Sequence, residues 1–395
     1  MRQICRRILL VVFVLFGLAN RPAHYLAQEQ YPWGTVLIAM SNSGRHLAAK
    51  YDTGEKDGDE FSSEVWIYNL DDFSSTPRHL ADTDQFYSQL SFSPDSHQIA
   101  IAEKGRLRVF STEDHSQILD FPYAWQEDVV HHRLSFSPDS RHLMYYRNVP
   151  HYSKVSGADE GRIMIWDIET GLRDHETPYR SQDIADDPRL SPDWRYLLDR
   201  SHSDGLRIYE FDRANGLGSR IATFPTAARD TAFSGDDSLF AFVAREDEIH
   251  VYRTDTWELA YVQLLSEYTC HGKYAMLTFH HLNPWMACLG NERLSVWDIE
   301  TGVLLLSDEI DVFFSLISWD SGMLLVDNRR YTGPGGKEII LWDANNAFAK
   351  STFPGWNPRL HPNGELMAAI NPDQRVTVWN IRSKEQLAVL PMPQQ

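Results

Sequence analysis

Three groups of histidines are the most direct candidates for chemistry in this sequence, because imidazole is a common ligand of metal ions. The groups are His131-His132, His271 with His280-His281, and His361 with Glu365. None of them has the spacing of a known metal site. Adjacent residues of a strand point to opposite faces, so His280 and His281 cannot chelate one ion without a distorted backbone. The sequence therefore predicts no metal site.

Motifs for catalysis and for nucleotide binding are missing from the sequence as well. It contains no Gly-x-Ser-x-Gly nucleophile motif. The glycine-rich segment 333–336 is not followed by the Lys-Ser or Lys-Thr of a phosphate-binding loop. The acidic segment 52–60 lacks the regular oxygen-ligand spacing of a calcium loop. We therefore predict no catalytic residues and no cofactor, although paired carboxylates from distant parts of a chain would leave no motif.

The composition indicates a globular protein and limits its partners. Of the 395 residues, 43% are hydrophobic and 12% are aromatic, which suits a chain of many short strands. The formal net charge is −18. Because an acidic surface repels phosphate backbones, we predict that nucleic acid is not a partner.

Residues 1–27 have the layout of a signal peptide and a short linker. Arginines precede an apolar run from Ile8 to Phe16, which is shorter than the ~20 residues that span a bilayer as a helix. We predict cleavage after Ala19, export to the periplasm, the cell surface or the medium, and no permanent membrane span. Outside the cytoplasm Cys270 and Cys288 would be free to form a disulfide, and two separately buried thiols are the alternative.

One pattern recurs eight times along the rest of the chain, and it describes a four-stranded unit. The clearest first halves are 90–96 and 134–140 (both LSFSPDS), and the clearest second halves are 162–171 (RIMIWDIETG), 293–302 (RLSVWDIETG), 338–344 (EIILWDA) and 375–381 (RVTVWNI). Ser-Pro-Asp-Ser favours a turn between two strands. In RLSVWDIETG apolar and polar residues alternate, as in a half-buried strand, and Glu-Thr-Gly supplies the next turn. A fourth strand, such as 303–306, completes the unit.

Successive units are predicted to begin near residues 36, 88, 132, 187, 229, 275, 314 and 357. A four-stranded sheet cannot bury both of its faces alone, so the copies must stack around an axis. We predict an all-β fold, an eight-bladed β-propeller of four-stranded antiparallel blades, with seven blades as the alternative. Residues 31–395 would form this single domain.

The units resemble the WD-repeat (WD40) propeller family. The resemblance is carried by Trp166-Asp167, Trp297-Asp298 and Trp342-Asp343, with Ile-Glu-Thr-Gly completing the first two, and it covers nearly all of residues 33–392. The Ser-Pro-Asp turns are also similar to those of TolB-like propellers. The resemblance implies the propeller fold, and we expect the strand tryptophans, including Trp379, to pack in the core.

The lengths of the units suggest where a partner would bind. If the strands of a unit are called a to d in chain order, the extra residues fall between strands b and c, in 52–63, 147–161 and 329–337. In a propeller the b–c and d–a loops share one rim, so these insertions enlarge a single face. Loops on a rigid scaffold often carry function, and aromatic side chains are frequent anchors of interfaces. The predicted contact residues are Tyr87, Trp125, Tyr152, Tyr179 and Tyr331.

The sequence thus predicts a noncatalytic, monomeric and exported scaffold that binds a protein or a peptide on the b–c and d–a rim. Two alternatives stay open. One is a propeller enzyme of the hydrolase or lactonase type, with residues that converge in the central channel. The other is an accessory module of an envelope complex. Fold alone does not decide among them, because propellers carry many unrelated functions.

Overall fold

The described residues of the chain form eight separate β-sheets of four strands each, and consecutive strands pair antiparallel within every sheet. The structure, a computed structural model, describes residues 34–57, 60–84, 89–103, 105–122, 131–148, 160–180, 189–201, 205–212, 216–225, 228–244, 247–265, 275–290, 293–310, 315–320, 322–328 and 337–391. We number the sheets as blades 1 to 8 in chain order.

Blades 1 to 4 contain strands β1 to β16. Their bounds are β1 (Gly34–Met40), β2 (His46–Asp57), β3 (Glu60–Asn69), β4 (Arg78–Asp84), β5 (Gln89–Phe92), β6 (Gln98–Glu103), β7 (Arg106–Ser111), β8 (Gln117–Pro122), β9 (His131–Phe136), β10 (His142–Asn148), β11 (Glu160–Asp167), β12 (Arg173–Arg180), β13 (Arg189–Leu190), β14 (Tyr196–Ser201), β15 (Gly205–Asp212) and β16 (Gly216–Phe224).

Blades 5 to 8 contain strands β17 to β32. Their bounds are β17 (Ala228–Phe233), β18 (Leu239–Ala244), β19 (Glu248–Arg253), β20 (Leu259–Leu264), β21 (Met276–Phe279), β22 (Trp285–Leu289), β23 (Arg293–Asp298), β24 (Leu304–Glu309), β25 (Ser315–Asp320), β26 (Met323–Asn328), β27 (Glu338–Asp343), β28 (Ala349–Pro354), β29 (Trp356–Leu360), β30 (Leu366–Ile370), β31 (Val376–Asn380) and β32 (Gln386–Val389). A 3-10 turn, Ala344–Asn346, follows β27.

The predicted architecture is confirmed. Each blade begins within two residues of its predicted start, and there are eight blades, not seven. The match is close because the turn residues and the apolar strands repeat locally in every unit, so each boundary has its own sequence signal.

Within the described part of the chain the hydrophobic core is divided into eight clusters, and each cluster joins one pair of neighbouring blades. One of them contains Ile38 and Leu47 of blade 1 together with Ile370 and Val378 of blade 8. The two ends of the chain therefore close the ring by side-chain packing, and every blade is built from four consecutive strands. The hydroxyl of Tyr68 adds a hydrogen bond across the closure, to the carbonyl oxygen of Pro391 at 2.9 Å.

One expectation about the strands is wrong. The alternation in β23 predicts a half-buried strand, but its four central residues are all buried, including the polar Ser295. Strands b and c lie in the middle of a blade whose two faces are covered by the neighbouring blades, so both faces of these strands are shielded from water. Partial exposure is found instead in strands d, such as β24 and β32.

The strand tryptophans pack in the core, as predicted. Trp166, Trp297 and Trp342 are at most 4% exposed. Trp379 is partly buried and packs against the cluster between blades 7 and 8. Ring stacking adds to their burial: Phe121 of blade 2 stacks on Trp166 of blade 3 at a centroid distance of 5.3 Å.

Candidate functional site

The predicted rim carries one long hairpin. Strands β2 and β3 contain 12 and 10 residues, whereas the other b strands contain five to seven. Backbone pairing shifts register between Asp52 and Lys56 and then continues to Asp57 opposite Glu60. At ~3.3 Å per residue, five extra residues carry the hairpin roughly 15 Å further on the side of the b–c loops. The described residues of the segment 52–63, which was predicted as an inserted loop, therefore lie in strands β2 and β3.

Most of the predicted contact residues lie outside the described residues. Tyr87, Trp125, Tyr152 and Tyr331 belong to this group. Of Tyr179 the backbone is described. It lies in strand β12 opposite Gly161 rather than in a loop. Of the other two predicted insertions, 147–161 and 329–337, residues 149–159 and 329–336 also lie outside the described part of the chain.

The opposite rim is built from the a–b and c–d turns, and the Ser-Pro-Asp-Ser sequences form the a–b turns of blades 2 and 3. In blade 2 the hydroxyl of Ser93 donates to the carboxylate of Asp95 at 2.6 Å, and the same oxygen accepts from the amide of His97. Ser96 adopts a φ of 67°. Its hydroxyl oxygen accepts a hydrogen bond from the amide of Ser43 in blade 1, at 2.8 Å. The last residue of the turn thus links one blade to the preceding blade.

The same link recurs around the rim with different side chains. Ser140 of blade 3 accepts from the amide of Asp95 in blade 2 at 3.0 Å. In blade 5 Asp237 takes this place, with a φ of 57°, and its carboxylate accepts from the amide of Asp193 in blade 4. Burial, then the neighbouring Asp193, raises the pKa of Asp237 to about 7. A buried carboxyl group that titrates near neutral pH therefore lies between blades 4 and 5.

A cleft of about 710 Å³ opens on this rim between blades 1 and 2. Its lining consists of Ser43, Arg45, His46, Ile67, Tyr68, Asn69, Ser75, Thr76, Arg78, Asp95, Ser96, His97, Thr112, Glu113 and His115. Ligand sites in proteins commonly have volumes of about 300 to 1,000 Å³. Sequence analysis missed this site because its residues come from the turns of two different units.

Two of the histidine groups have contacts that define their roles. His280 is 5% exposed, and its Nδ1 accepts from the amides of Leu282 and Asn283 at 3.0 and 2.9 Å. Burial, then the neighbouring His281, lowers the pKa of His280 to about 4. His361 accepts from the amide of Asn363 at 3.2 Å. These rings therefore stabilise the a–b turns of blades 6 and 8.

A different histidine stands among carboxylates on blade 3. His142 Nε2 lies 3.5 Å from Asp174 and 4.0 Å from Asp167, and donor atoms of these three residues lie within 4.8 Å of one another, a spacing that could hold a metal ion. The Arg141 guanidinium hydrogen-bonds to Asp167 at 3.1 Å and already supplies a positive charge there. Sequence analysis did not find this group, because its members come from three strands that adjoin only in the folded sheet.

Cys288, which is fully buried in β22, is disulfide-bonded. Cys270, the other cysteine of the predicted mature chain, lies outside the described residues. Among the described residues, no helix is long and apolar enough to cross a membrane.

These features define a class by its fold: an eight-bladed β-propeller with turn-built rims above and below a ring of interblade cores. By sequence, neither known protein families nor curated proteins give a match.

Solved structures of WD40 propellers are similar to this chain in fold. Sqt1 of Chaetomium thermophilum, bound to the N-terminus of the ribosomal protein L10, is 11% identical, with 89% of this chain and 98% of that chain covered and a TM-score of 0.60. The C-terminal WD40 domain of Sif2 is 12% identical, with 88% and 95% covered and a TM-score of 0.59. At such identities the likeness concerns the fold alone.

An enzyme is also among the similar structures. The dihydro-heme d1 dehydrogenase NirN in complex with DHE is 17% identical, with 94% of this chain and 75% of that chain covered and a TM-score of 0.59.

Proposed function

We propose that this chain is an exported, noncatalytic interaction scaffold that binds a protein or peptide partner on the rim of the b–c and d–a loops. The observation that carries the proposal is the long hairpin of β2 and β3, since β2 is longer than the b strand of every other blade. A rigid ring that presents longer loops on one side offers a partner a large and preorganised surface. In the similar structure of Sqt1, the propeller is bound to a segment of another protein.

Export is supported by the disulfide of Cys288 and by the signal-peptide layout of residues 1–27. Disulfides persist in oxidising compartments and are rare in the cytosol. N-terminal sequencing of the native protein is expected to find Asn20 as the first residue, whereas an intact Met1 on protein recovered from the cytoplasm would argue against export.

The competing function is an enzyme, and the similarity to NirN is the observation that favours it. A panel of glycosidase, lactonase and peptidase substrates tests this alternative with the purified protein. The scaffold proposal expects no turnover above that of heat-denatured protein.

The binding face is tested by partner capture from the native envelope and secretome with two variants. The first combines Tyr87→Ser, Trp125→Ser and Tyr179→Ser on the proposed rim. The second combines Leu172→Ser, Leu282→Ser and Val303→Ser on the opposite rim, where these side chains are 66%, 80% and 54% exposed. Since anchors of this kind each contribute roughly 1 to 2 kcal/mol, we expect the first variant to lose the partner about a hundredfold or more.

The second variant serves as the matched control and should capture the partner as wild type does. Both variants must first show the urea midpoint of the wild-type chain. Capture that survives in the first variant and disappears in the second would place the partner on the opposite rim and refute the proposed face.

A further inference from the structure

The cleft between blades 1 and 2 gathers basic side chains in an otherwise acidic protein. Two arginines and three histidines line it, whereas the whole chain has a formal net charge of −18. The walls also carry side-chain hydroxyl groups from Ser43, Ser75 and Thr76. Guanidinium, imidazole and hydroxyl groups are all donors to oxyanions.

The charges of the cleft are not all balanced by protein partners. Arg45 pairs with Asp71 at 2.9 Å. Asp95 is occupied within its own turn, where it accepts from Ser93 and His97. The backbone of Arg78, at the start of β4, pairs with Ile67. The side chain of Arg78 has no hydrogen bond or ion pair with another described residue. Glu113 is the remaining acidic side chain of the lining. Arg78 is therefore a cation available to a ligand.

Two histidines beside these arginines have lowered pKa values. Burial, then the charge of Arg45, lowers the pKa of His46. Burial, then the charge of Arg78, lowers the pKa of His115. The Nδ1 atom of His46 is buried and has no hydrogen-bond partner among the described residues. A negative charge placed in the cleft would offset the repulsion by the arginines and raise the pKa values of both rings. The rings would then take up protons and donate hydrogen bonds.

We propose that this cleft is a binding site for a small oxyanion, a carboxylate or a phosphate group, with Arg78 as its principal cation and His46 and His115 as additional donors. The site lies on the rim opposite the proposed partner face, so this inference goes beyond the proposed function and does not depend on it. A turn-built cleft of about 710 Å³ admits a group larger than the anion alone, such as a side chain or a terminus that carries it.

The test is a titration of the full-length mature protein with sodium sulfate and, separately, with sodium acetate at pH 6.5 and constant ionic strength. Sulfate stands in for a phosphate group without titrating in this range, and acetate stands in for a carboxylate. The Cε1–H resonances of histidine, assigned by His46→Gln and His115→Asn, report protonation. We expect saturable shifts of both resonances toward the protonated position, and the anion that saturates at lower concentration identifies the preferred chemistry.

Three charge variants make the outcome specific. Arg78→Gln should weaken binding about tenfold, because it removes a charge-assisted hydrogen bond. Glu113→Gln should strengthen binding, because it removes the opposing charge. Arg220→Gln, which removes an exposed arginine from strand β16 of blade 4, should leave binding unchanged.

The proposal is overturned if neither anion gives a saturable shift, or if Arg78→Gln and Arg220→Gln have the same effect. Should Arg78→Gln fail to fold, the opposite response to Glu113→Gln still decides the matter, since an effect of ionic strength alone would not depend on that residue.

Discussion

At the scale of single residues, the carboxyl of Asp237 makes the stability of the fold depend on pH. It is 1% exposed, and its pKa is raised from 3.8 to about 7 by burial and by Asp193. A raised pKa means that the folded state prefers the protonated form more than the unfolded state does. The stabilisation is therefore fully present below about pH 4 and is lost as the pH rises through about 7.

We expect Asp237→Asn to remove this pH dependence. The amide keeps an oxygen acceptor for the amide of Asp193, and asparagine tolerates the left-handed backbone of this position. At about 1.4 kcal/mol per pKa unit, the variant should be more stable than wild type by at most about 4 kcal/mol at pH 8, and the advantage should vanish near pH 4. Urea unfolding from pH 4 to pH 8 measures the difference.

Asp236→Asn is the matched control, because its effect on pH dependence has the opposite sign. The hydroxyl of Ser234 holds the pKa of Asp236 below its usual range, so that carboxylate stabilises the fold above about pH 4 and loses its contribution in acid. A difference between Asp237→Asn and wild type that stays constant with pH would contradict the assignment of the titrating group.

At the scale of turns and strands, the a–b turn both reverses the chain and ties adjacent blades together. In blade 2 the fourth turn residue, Ser96, has a φ of 67°, a conformation that costs a side chain about 1 kcal/mol or more. Glycine fills the equivalent place in blades 1 and 8, as Gly44 and Gly364. Serine at this place is more strained than glycine, but its hydroxyl oxygen accepts a hydrogen bond from the amide of Ser43.

Two substitutions at Ser96 should separate these effects. Ser96→Ala keeps the strain and loses the hydrogen bond, so it should destabilise the protein by about 1 kcal/mol. Ser96→Gly loses the same hydrogen bond but relieves the strain, so its free energy of unfolding should lie close to that of wild type. Urea denaturation measures both, and equal stability of Ser96→Ala and wild type would show that the hydroxyl does not couple the blades.

The sequence predicted these turns because their signals are local, but it did not predict the cleft and the contacts between blades that the turns form. Proline and aspartate indicate each turn within a few residues. The cleft between blades 1 and 2 depends on which side chains two successive units present to each other, and a repeat pattern leaves those positions variable. Asp237 could have been found, since alignment of the units puts a carboxylate where Ser96 and Ser140 stand. The group of His142, Asp167 and Asp174 could not, because no spacing along the chain joins its members.

At the scale of the whole molecule, the ring is closed without exchange of a strand between its ends. Blade 8 ends with β32 and blade 1 begins with β1, and the interface between the blades is a hydrophobic cluster like the other seven. Repeat proteins derive their stability from the units and from interfaces between neighbours. The closing interface should therefore contribute as much as any other, although it joins residues from opposite ends of the chain.

Equivalent valines of strand c provide the test. Val109, Val296 and Val378 are each at most 1% exposed and lie in the clusters between blades 2 and 3, blades 6 and 7, and blades 8 and 1. Substitution of each by alanine should cost about 2 to 3 kcal/mol, because two buried methyl groups are lost and a cavity is left. Chemical unfolding followed by far-ultraviolet circular dichroism and by tryptophan fluorescence should give coincident transitions for all three variants. If Val378→Ala alone cost little, or melted blade 8 before the rest, the ring would be open at that interface, and its rims would lose the rigidity on which both proposed binding sites depend.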